Sequence, residues 1–313
     1  MKQERFEREH QEAWAGFAAM LAGVQPERLP EAYRALCRDL ALARQRCYSA
    51  ALVARLEALA MAGHQALYRS SLDLAPRWGQ FLAGGLARSV RALAAPVLVA
   101  VALLGLPAAL LPPLIAHRPN LAYVLEDPAT LEKMEAMYQP RQGRFGRVGQ
   151  AQTDLAMFGF YVWNNVRICF QAFAGGILFG LGSALYLLHN GIHGGAVAGH
   201  LTQVGLGRQF WPFVCTHSAL ELPALALAGG AGLHLGWALL APGRRSRRRA
   251  LAEAARDGIP VVYGAAAMTV LAAAIEAFWS ASGSVPVPAK LTAGALLWAG
   301  VASYFLLAGR RRA

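Results

Sequence analysis

The sequence predicts an all-α, polytopic membrane protein with about six transmembrane helices and an N-terminal helical domain on the cytoplasmic side. Of its 313 residues, 56% are hydrophobic and only 15% are charged, and the mean hydropathy is +0.34. This composition is too apolar for a soluble globular protein. Charge is also nearly absent from two long stretches, residues 157–242 and 258–309. Their charged residues are Arg167, Arg208, Glu221, Glu276 and Lys290.

Residues 1–90 differ from the rest because charged side chains are frequent and of both signs. From Leu29 onward, apolar residues recur every three or four positions with arginines between them, which is typical of amphipathic helices. Pro26 and Pro30 separate these helices from a first helix around Trp14. We therefore expect a small, water-facing helical bundle.

Transmembrane segments follow this domain. The first covers residues 91–116 and includes Ala92–Ala116, a run without charge that is long enough to cross about 30 Å of hydrocarbon. The remaining spans form a glycine-rich core over residues 168–309. They are predicted at Ile168–Leu188, Gly191–Leu206, Leu222–Ala241 (extended backward to about Phe213), Ile259–Phe278 and Leu291–Ala308. The segment Gly191–Leu206 is the weakest, and either crosses or re-enters the membrane. The pair Asn190-Gly191 predicts a turn before it.

Arginine clusters orient the chain. One cluster surrounds Arg247 and the other ends the chain at Arg312, and both adjoin apolar spans. Positive charge beside a span marks the cytoplasmic side, so both termini are expected there. Segment 117–167 is then extracytoplasmic, with a short helix capped by Asp127 and an amphipathic stretch, Thr153–Trp163, along the membrane surface. Juxtamembrane placement explains the net charge of +12, and we expect no nucleic-acid partner.

Polar residues in and near the spans are the candidate functional residues. On this topology they share the outer half of the membrane, where ionisable groups must face protein or water. They are Asn164, Asn165, Arg167, His200, Gln203, His217, Glu221 and Glu276. Three roles stay open. The first is structural packing, in which Arg167 neutralises a glutamate. The second is a transport site for an ion, a proton or a solute, and the third is a metal site. A metal site would combine His217 and Glu221 with His200. The spacing of His217 and Glu221 supplies only two ligands, whereas zinc needs three or four, so no metal or cofactor is predicted.

Small residues indicate close helix packing. Three GxxxG pairs occur in the predicted core, and such pairs let helix backbones approach within one chain or between protomers. They are Gly176 and Gly180, Gly195 and Gly199, and Gly232 and Gly236. We expect a homo-oligomer. The sequence lacks the glycine-rich, serine-elbow and zinc-protease motifs of common soluble enzymes, which favours a non-enzymatic protein.

A combination of segments carries a family resemblance. Asn164-Asn165 is followed by AFAGGILFGLGSALYLLHNG, GAVAGHL, HSALELPALALAGGAGLHLGWALLAPG and IEAFWS. Together they resemble the stage II sporulation protein M family of bacterial integral membrane proteins. His193, Gly194 and Thr216 depart from the expected pattern.

The resemblance implies a function and partners. It implies a bacterial inner-membrane protein that scaffolds or recruits cell-envelope or peptidoglycan-remodelling proteins. Family members often occur beside MoxR-type ATPases and von Willebrand factor A proteins, which are therefore expected partners together with the lipid bilayer. The alternative is a channel or transporter that uses the outer polar residues.

Topology can be tested by cysteine labelling. In a variant without native cysteines, an impermeant thiol reagent applied to intact cells is expected to label single cysteines placed at residues 125–145 and near Ser284. Cysteines near Arg247 and Ala313 are expected to stay unlabelled, because arginine-rich ends remain in the cytoplasm. Labelling at Arg247 from outside contradicts the six-span topology.

Overall fold

The computed structural model describes residues 2–21, 28–68, 78–139 and 153–310, and helices make up 88% of them. The predicted all-α class is confirmed. The chain divides into two compact units, Met1–Trp78 and Gly79–Ala313. The division lies at residue 78, before the expected boundary at residue 90, because the short helices just before the first apolar span pack with the second unit.

In the part of the first unit that the structure describes, the helices are α1 (Gln3–Leu21), α2 (Leu29–Gln45) and α3 (Ala50–Tyr68). Pro30 lies in the first turn of α2, where a missing amide hydrogen costs nothing. The indole nitrogen of Trp14 donates to Asp39 at 2.9 Å, which satisfies the polar atom of a buried ring. The core of this unit consists of Phe6, Trp14, Phe17, Leu29, Leu36, Ala43, Leu52 and Leu56.

The second unit is built around one long helix. Its helices are α4 (Leu86–Ala92), α5 (Ala94–His117), α6 (Asn120–Leu125), α7 (Pro128–Tyr138), α8 (Asp154–Ala174), α9 (Leu181–Gln203), α10 (Gly207–Leu240), α11 (Arg247–Ala274) and α12 (Val287–Leu307). Residues Ile275–Ser280 extend α11 as a π-helical segment. Helix α10 contacts α5, α8, α9, α11 and α12, and is therefore the centre of the bundle.

Within the described ranges, four helices are long and apolar enough to cross a membrane: α5, α10, α11 with its π-helical segment, and α12. The predicted first, fourth, fifth and sixth spans correspond to these helices. Helices α8 and α9 are of similar length, but their hydropathy is lower. Length and hydropathy together therefore identify four spans and not the predicted six.

The predicted second and third spans are wrong in their limits. Ile168–Leu188 is not one helix, because α8 ends at Ala174 and the chain turns through Gly175–Gly180. Gly180 has a φ of 83°, a left-handed conformation that suits glycine. The predicted turn at Asn190-Gly191 lies instead inside α9, where the Asn190 side chain donates to the carbonyl of Tyr186 at 2.7 Å.

The outer segment follows the prediction only in its first part. Asp127 accepts a hydrogen bond from the amide of Ala129 and caps α7, as expected. The stretch Thr153–Trp163 is not a separate surface helix. Thr153 caps α8 by accepting from Ala156, and the stretch continues into the bundle because Met157 and Tyr161 pack against α11. Segment 117–167 therefore extends into the helical core.

All three GxxxG pairs lie in contacts within the chain. A Cβ atom added to Gly176 would overlap the carbonyl group of Gly232, and one added to Gly236 would overlap the amide of Gly180. A Cβ on Gly195 would lie 2.6 Å from the carbonyl oxygen of Pro107. The glycines of α10 and of the α8–α9 turn thus permit backbone contact that any side chain would block.

A matched pair of glycine variants tests this packing. The Cβ of Gly232→Ala would lie 2.6 Å from the carbonyl oxygen of Ala172 and 2.7 Å from that of Phe173. We expect a loss of about 1–3 kcal/mol in unfolding free energy, measured by thermal unfolding in detergent. Gly300→Ala on α12 is the control, because nothing lies within 4 Å of its added atom. Equal unfolding of the two variants contradicts the packing argument.

Candidate functional site

Three ionisable side chains meet inside the bundle. His217 and Glu221 are four residues apart on α10 and so share one face of the helix. Glu276 comes from the π-helical segment that follows α11. One ligand atom from each of the three lies within 4.8 Å of the other two. We call these residues the His–Glu–Glu site. His217 is 5% exposed, and both glutamates are partly buried.

Hydroxyl groups surround the site. Nδ1 of His217 lies 3.2 Å from Oγ of Ser280, which is itself 3.4 Å from Oγ1 of Thr216. The hydroxyl of Tyr161 on α8 hydrogen-bonds to Glu276. A π-helical turn widens the backbone and is frequent at functional sites. Here such a turn carries both Glu276 and Ser280, so the irregular segment coincides with the polar contacts.

The end of α7 packs against the part of α10 that leads into the site, because the ring of Phe213 contacts both Tyr138 and His217. Tyr138 is 5% exposed, and its ring packs edge-on against Phe210 and Phe213 at centroid distances of 5.2 and 5.7 Å. Burial raises the pKa of the Tyr138 hydroxyl, and the nearby carboxylate of Glu276 raises it further. The aromatic contacts and this electrostatic influence place Tyr138 between the outer segment and the glutamates.

Two histidines of α9 hold the outer helices. Nε2 of His200 lies 2.7 Å from Oε1 of Glu135 on α7, and the histidine is only 1% exposed. Nδ1 of His193 lies 3.0 Å from Oε1 of Glu126, just after α6. These contacts fasten the outer segment to the bundle at two points. They give His193, which departs from the family pattern, a structural partner.

The structure does not bring the eight predicted polar residues into one cluster. His217, Glu221 and Glu276 come together, and Asn165 is buried on the adjacent face of α8. His200 is bound to Glu135 instead. The amide nitrogen of Asn164 donates to Asn165 at 3.0 Å. Gln203 is exposed at the end of α9.

The structure does not support the role in which Arg167 neutralises a glutamate. Arg167 is exposed, and its guanidinium carbon lies 4.4 Å from the ring centroid of Trp163. Its nearest polar contact is Asn164 Oδ1 at 3.5 Å. The face of α8 that carries Arg167 and Trp163 points away from α10. The glutamate carboxylates therefore lack the guanidinium that the sequence suggested for them.

Sequence reasoning included all three members of this site among the polar residues but missed their hydroxyl neighbours. Glu276 was included as a polar residue, but its contact with His217 depends on how α11 packs on α10. Tyr161 and Asn165 are spaced by four residues on α8, which was the available signal that they share a face. Nothing in local spacing indicated Ser280, Tyr138 or Glu135.

The fold and the site define a helical, membrane-type protein with a glycine-packed core around a buried acidic group. The family model for stage II sporulation protein M (SpoIIM) matches residues 90–281, more than half of the chain. The chain belongs to the stage II sporulation protein M family, and the resemblance in the sequence is confirmed. Residues 4–69 match a separate model, a domain of unknown function, DUF8413. Comparisons with curated proteins and with solved structures gave no match.

The position of Arg167 leads to a stability test. Because Arg167 stacks on an exposed ring, Arg167→Gln is expected to lower the unfolding free energy by less than about 1 kcal/mol. Loss of a buried ion-pair partner would cost about 3 kcal/mol or more. Tyr161→Phe is the comparison, because it removes a hydrogen bond to Glu276 and is expected to cost about 1.5–3 kcal/mol. The unfolding free energies are measured with denaturant in detergent. If Arg167→Gln lowers this free energy more than Tyr161→Phe does, the exposed position of Arg167 is contradicted.

Proposed function

We propose that this protein is a non-enzymatic, six-span scaffold of the bacterial inner membrane, with both termini in the cytoplasm. It recruits cell-envelope proteins, including peptidoglycan-remodelling proteins, and works with MoxR-type ATPases and von Willebrand factor A proteins. The observation that carries the proposal is the glycine-packed core, in which backbones of the α8–α9 turn and α10 touch. Such a core resists sliding of its helices and suits a fixed platform.

Helix length supports six crossings. Helix α8 has 21 residues and α9 has 23, so at 1.5 Å per residue they are about 31 and 34 Å long and can cross the hydrocarbon. Their lower hydropathy has a physical reason in α9, where Gly191, Gly195 and His200 are buried against other helices. A helix enclosed by protein does not need an apolar surface.

Charge supports the orientation. With six crossings, the α8–α9 turn and the loop between α10 and α11 lie on the same side of the membrane. That loop and the first turns of α11 hold Arg244, Arg245, Arg247, Arg248 and Arg249. The positive-inside rule assigns this side to the cytoplasm, and the first unit and the C-terminus lie there too.

Two appended elements support recruitment of partners. The N-terminal unit has its own core and is matched by its own family model, so it is a module in its own right. The outer segment is held by His193 and His200, and α7 still exposes Glu132 and Lys133. Each element can therefore bind a protein on its side of the membrane. We further propose that the scaffold is a homo-oligomer, although its GxxxG pairs are used within the chain.

The competing function is transport through the His–Glu–Glu site. Transport requires a polar path that continues from that site across the bundle. A cavity of about 520 Å³ is lined mainly by apolar residues such as Phe179, Leu233 and Trp237, and one of about 760 Å³ by residues such as Phe158 and Phe170. Neither cavity includes a member of the site. These cavities therefore favour a scaffold over a transporter.

Site-specific photo-crosslinking in native membranes tests the scaffold. A photoreactive residue at Lys133 on α7, or at Met61 on α3, is expected to capture the same envelope or ATPase partners repeatedly, as identified by mass spectrometry. Both positions are exposed. The control is Trp298, an exposed residue of the apolar helix α12, which is expected to contact lipid.

Proteoliposomes test the alternative. The purified full-length protein is expected to produce no proton or ion flux above that of empty vesicles. A flux that is abolished by Glu221→Gln, with no partner specific to Lys133 or Met61, overturns the scaffold and establishes a transporter.

A further inference from the structure

We propose that the His–Glu–Glu site binds one divalent transition-metal ion, of the class of Zn²⁺, Mn²⁺ or Fe²⁺, through His217, Glu221 and Glu276. The ion would join α10 to the π-helical segment after α11. This inference goes beyond the scaffold function, and either can fail without the other.

The geometry fits a single ion. Ligand atoms on a tetrahedral zinc ion at about 2.1 Å lie about 3.4 Å apart. The three ligand atoms here lie within 4.8 Å of one another, so a point central to them is at most about 2.8 Å from each, and shifts of less than about 1 Å bring them to bonding distance. Glutamate side chains have the rotatable bonds to make such shifts.

The surroundings orient the ligands as those of metal sites do. A histidine that binds a metal through one ring nitrogen commonly has its other nitrogen held by a hydrogen bond. Nδ1 of His217 lies 3.2 Å from Oγ of Ser280, which leaves Nε2 for the ion. Tyr161 hydrogen-bonds to the carboxylate of Glu276. Both partners come from helices other than α10, so packing fixes the ligand positions.

The charge of the site calls for a cation. Two carboxylates so close together in a low-dielectric interior repel each other and lose hydration, unless an opposite charge or protons neutralise them. Arg167 lies on the ring of Trp163 and does not supply that charge. The buried ammonium group of Lys290 donates to the carbonyl oxygens of Ser280 and Ser282. A dication at the site neutralises both glutamates at once.

An independent observation comes from Asn165. Its side chain is 4% exposed, and its Nδ2 atom has no hydrogen-bond partner among the residues that the structure describes. It lies on the face of α8 between Tyr161, which binds Glu276, and Cys169, which is within the electrostatic influence of Glu221. A buried amide donor on this face of α8 suits a ligand oxygen, either of a carboxylate or of a solvent molecule on the ion.

The ligand set also restricts the ion. One imidazole and two carboxylates suit zinc, manganese or ferrous iron, whereas copper(I) prefers sulfur ligands. Three protein ligands leave at least one coordination position open, which a solvent molecule can fill.

Zinc retention by the full-length protein tests the site. The protein is purified in detergent without a histidine tag, stripped with a chelator, loaded with Zn²⁺ and dialysed before metal analysis. Wild type is expected to retain about one zinc ion per chain. Glu221→Gln and Glu276→Gln are each expected to bind zinc at least about 10-fold more weakly. The matched control is Glu135→Gln, a carboxylate paired with His200 outside the site, which is expected to retain zinc like wild type.

The melting temperature of the wild-type protein gives a second measurement. It needs no variant, so poor folding of a variant cannot affect it. Zinc is expected to raise the melting temperature of the stripped wild type, because a ligand that binds only the folded state stabilises it. Absence of both zinc retention and a melting shift in wild type overturns the proposal and leaves a protonated carboxyl pair. Equal zinc retention by wild type and both glutamine variants also overturns it, because the ion is then held elsewhere. Failure of the scaffold function leaves these results unchanged.

Discussion

Backbone contact at the glycines of α10 is the constraint on which the rest of the membrane unit depends. Gly232 and Gly236 meet the glycines of the α8–α9 turn, and Gly229 meets Leu187 of α9. Without hydration to drive helices together in lipid, close contact and dispersion are the main attractions, and both need small residues. The turn between α8 and α9 can fold back tightly because Gly180 adopts a left-handed conformation. The α8–α9 turn therefore sets the positions of α8 and α9 against α10.

The His–Glu–Glu site also depends on the glycine contact of α10, although the two lie on different parts of that helix. Once α10 is held by its glycines, His217 and Glu221 have fixed positions along it, and α11 with its π-helical segment brings Glu276 beside them. The wider π-helical turn carries both Glu276 and Ser280, and both contact α10 at His217. Tyr161 then reaches the site from α8. Apolar close packing and a polar interior are thus parts of one arrangement.

Local signals in the sequence predicted much of the fold but little of the site. Apolar runs and arginine clusters indicated the helices that became α5, α10, α11 and α12, since hydropathy is a property of each segment alone. The limits of α8 and α9 were missed because the turn at Gly175–Gly180 lies within an apolar stretch, and because Asn190-Gly191 resembles a turn signal but lies inside α9. Depth alone suggested the role in which Arg167 neutralises a glutamate, whereas the direction of the arginine depends on the rotation of α8. Only the packed structure reveals which face of a helix meets which neighbour.

A chain of contacts connects the site to the last helix. His217 contacts Ser280, and the carbonyl oxygen of Ser280 accepts a hydrogen bond from the ammonium group of Lys290 in the first turn of α12. Gly294, one turn later, packs against the backbone of Cys215 on α10. The site is therefore bounded on one side by α8 through Tyr161 and on the other by α12 through Lys290. Because close-packed interiors have few voids that could absorb a local displacement, the site and the three helices that bound it are best regarded as one packed unit.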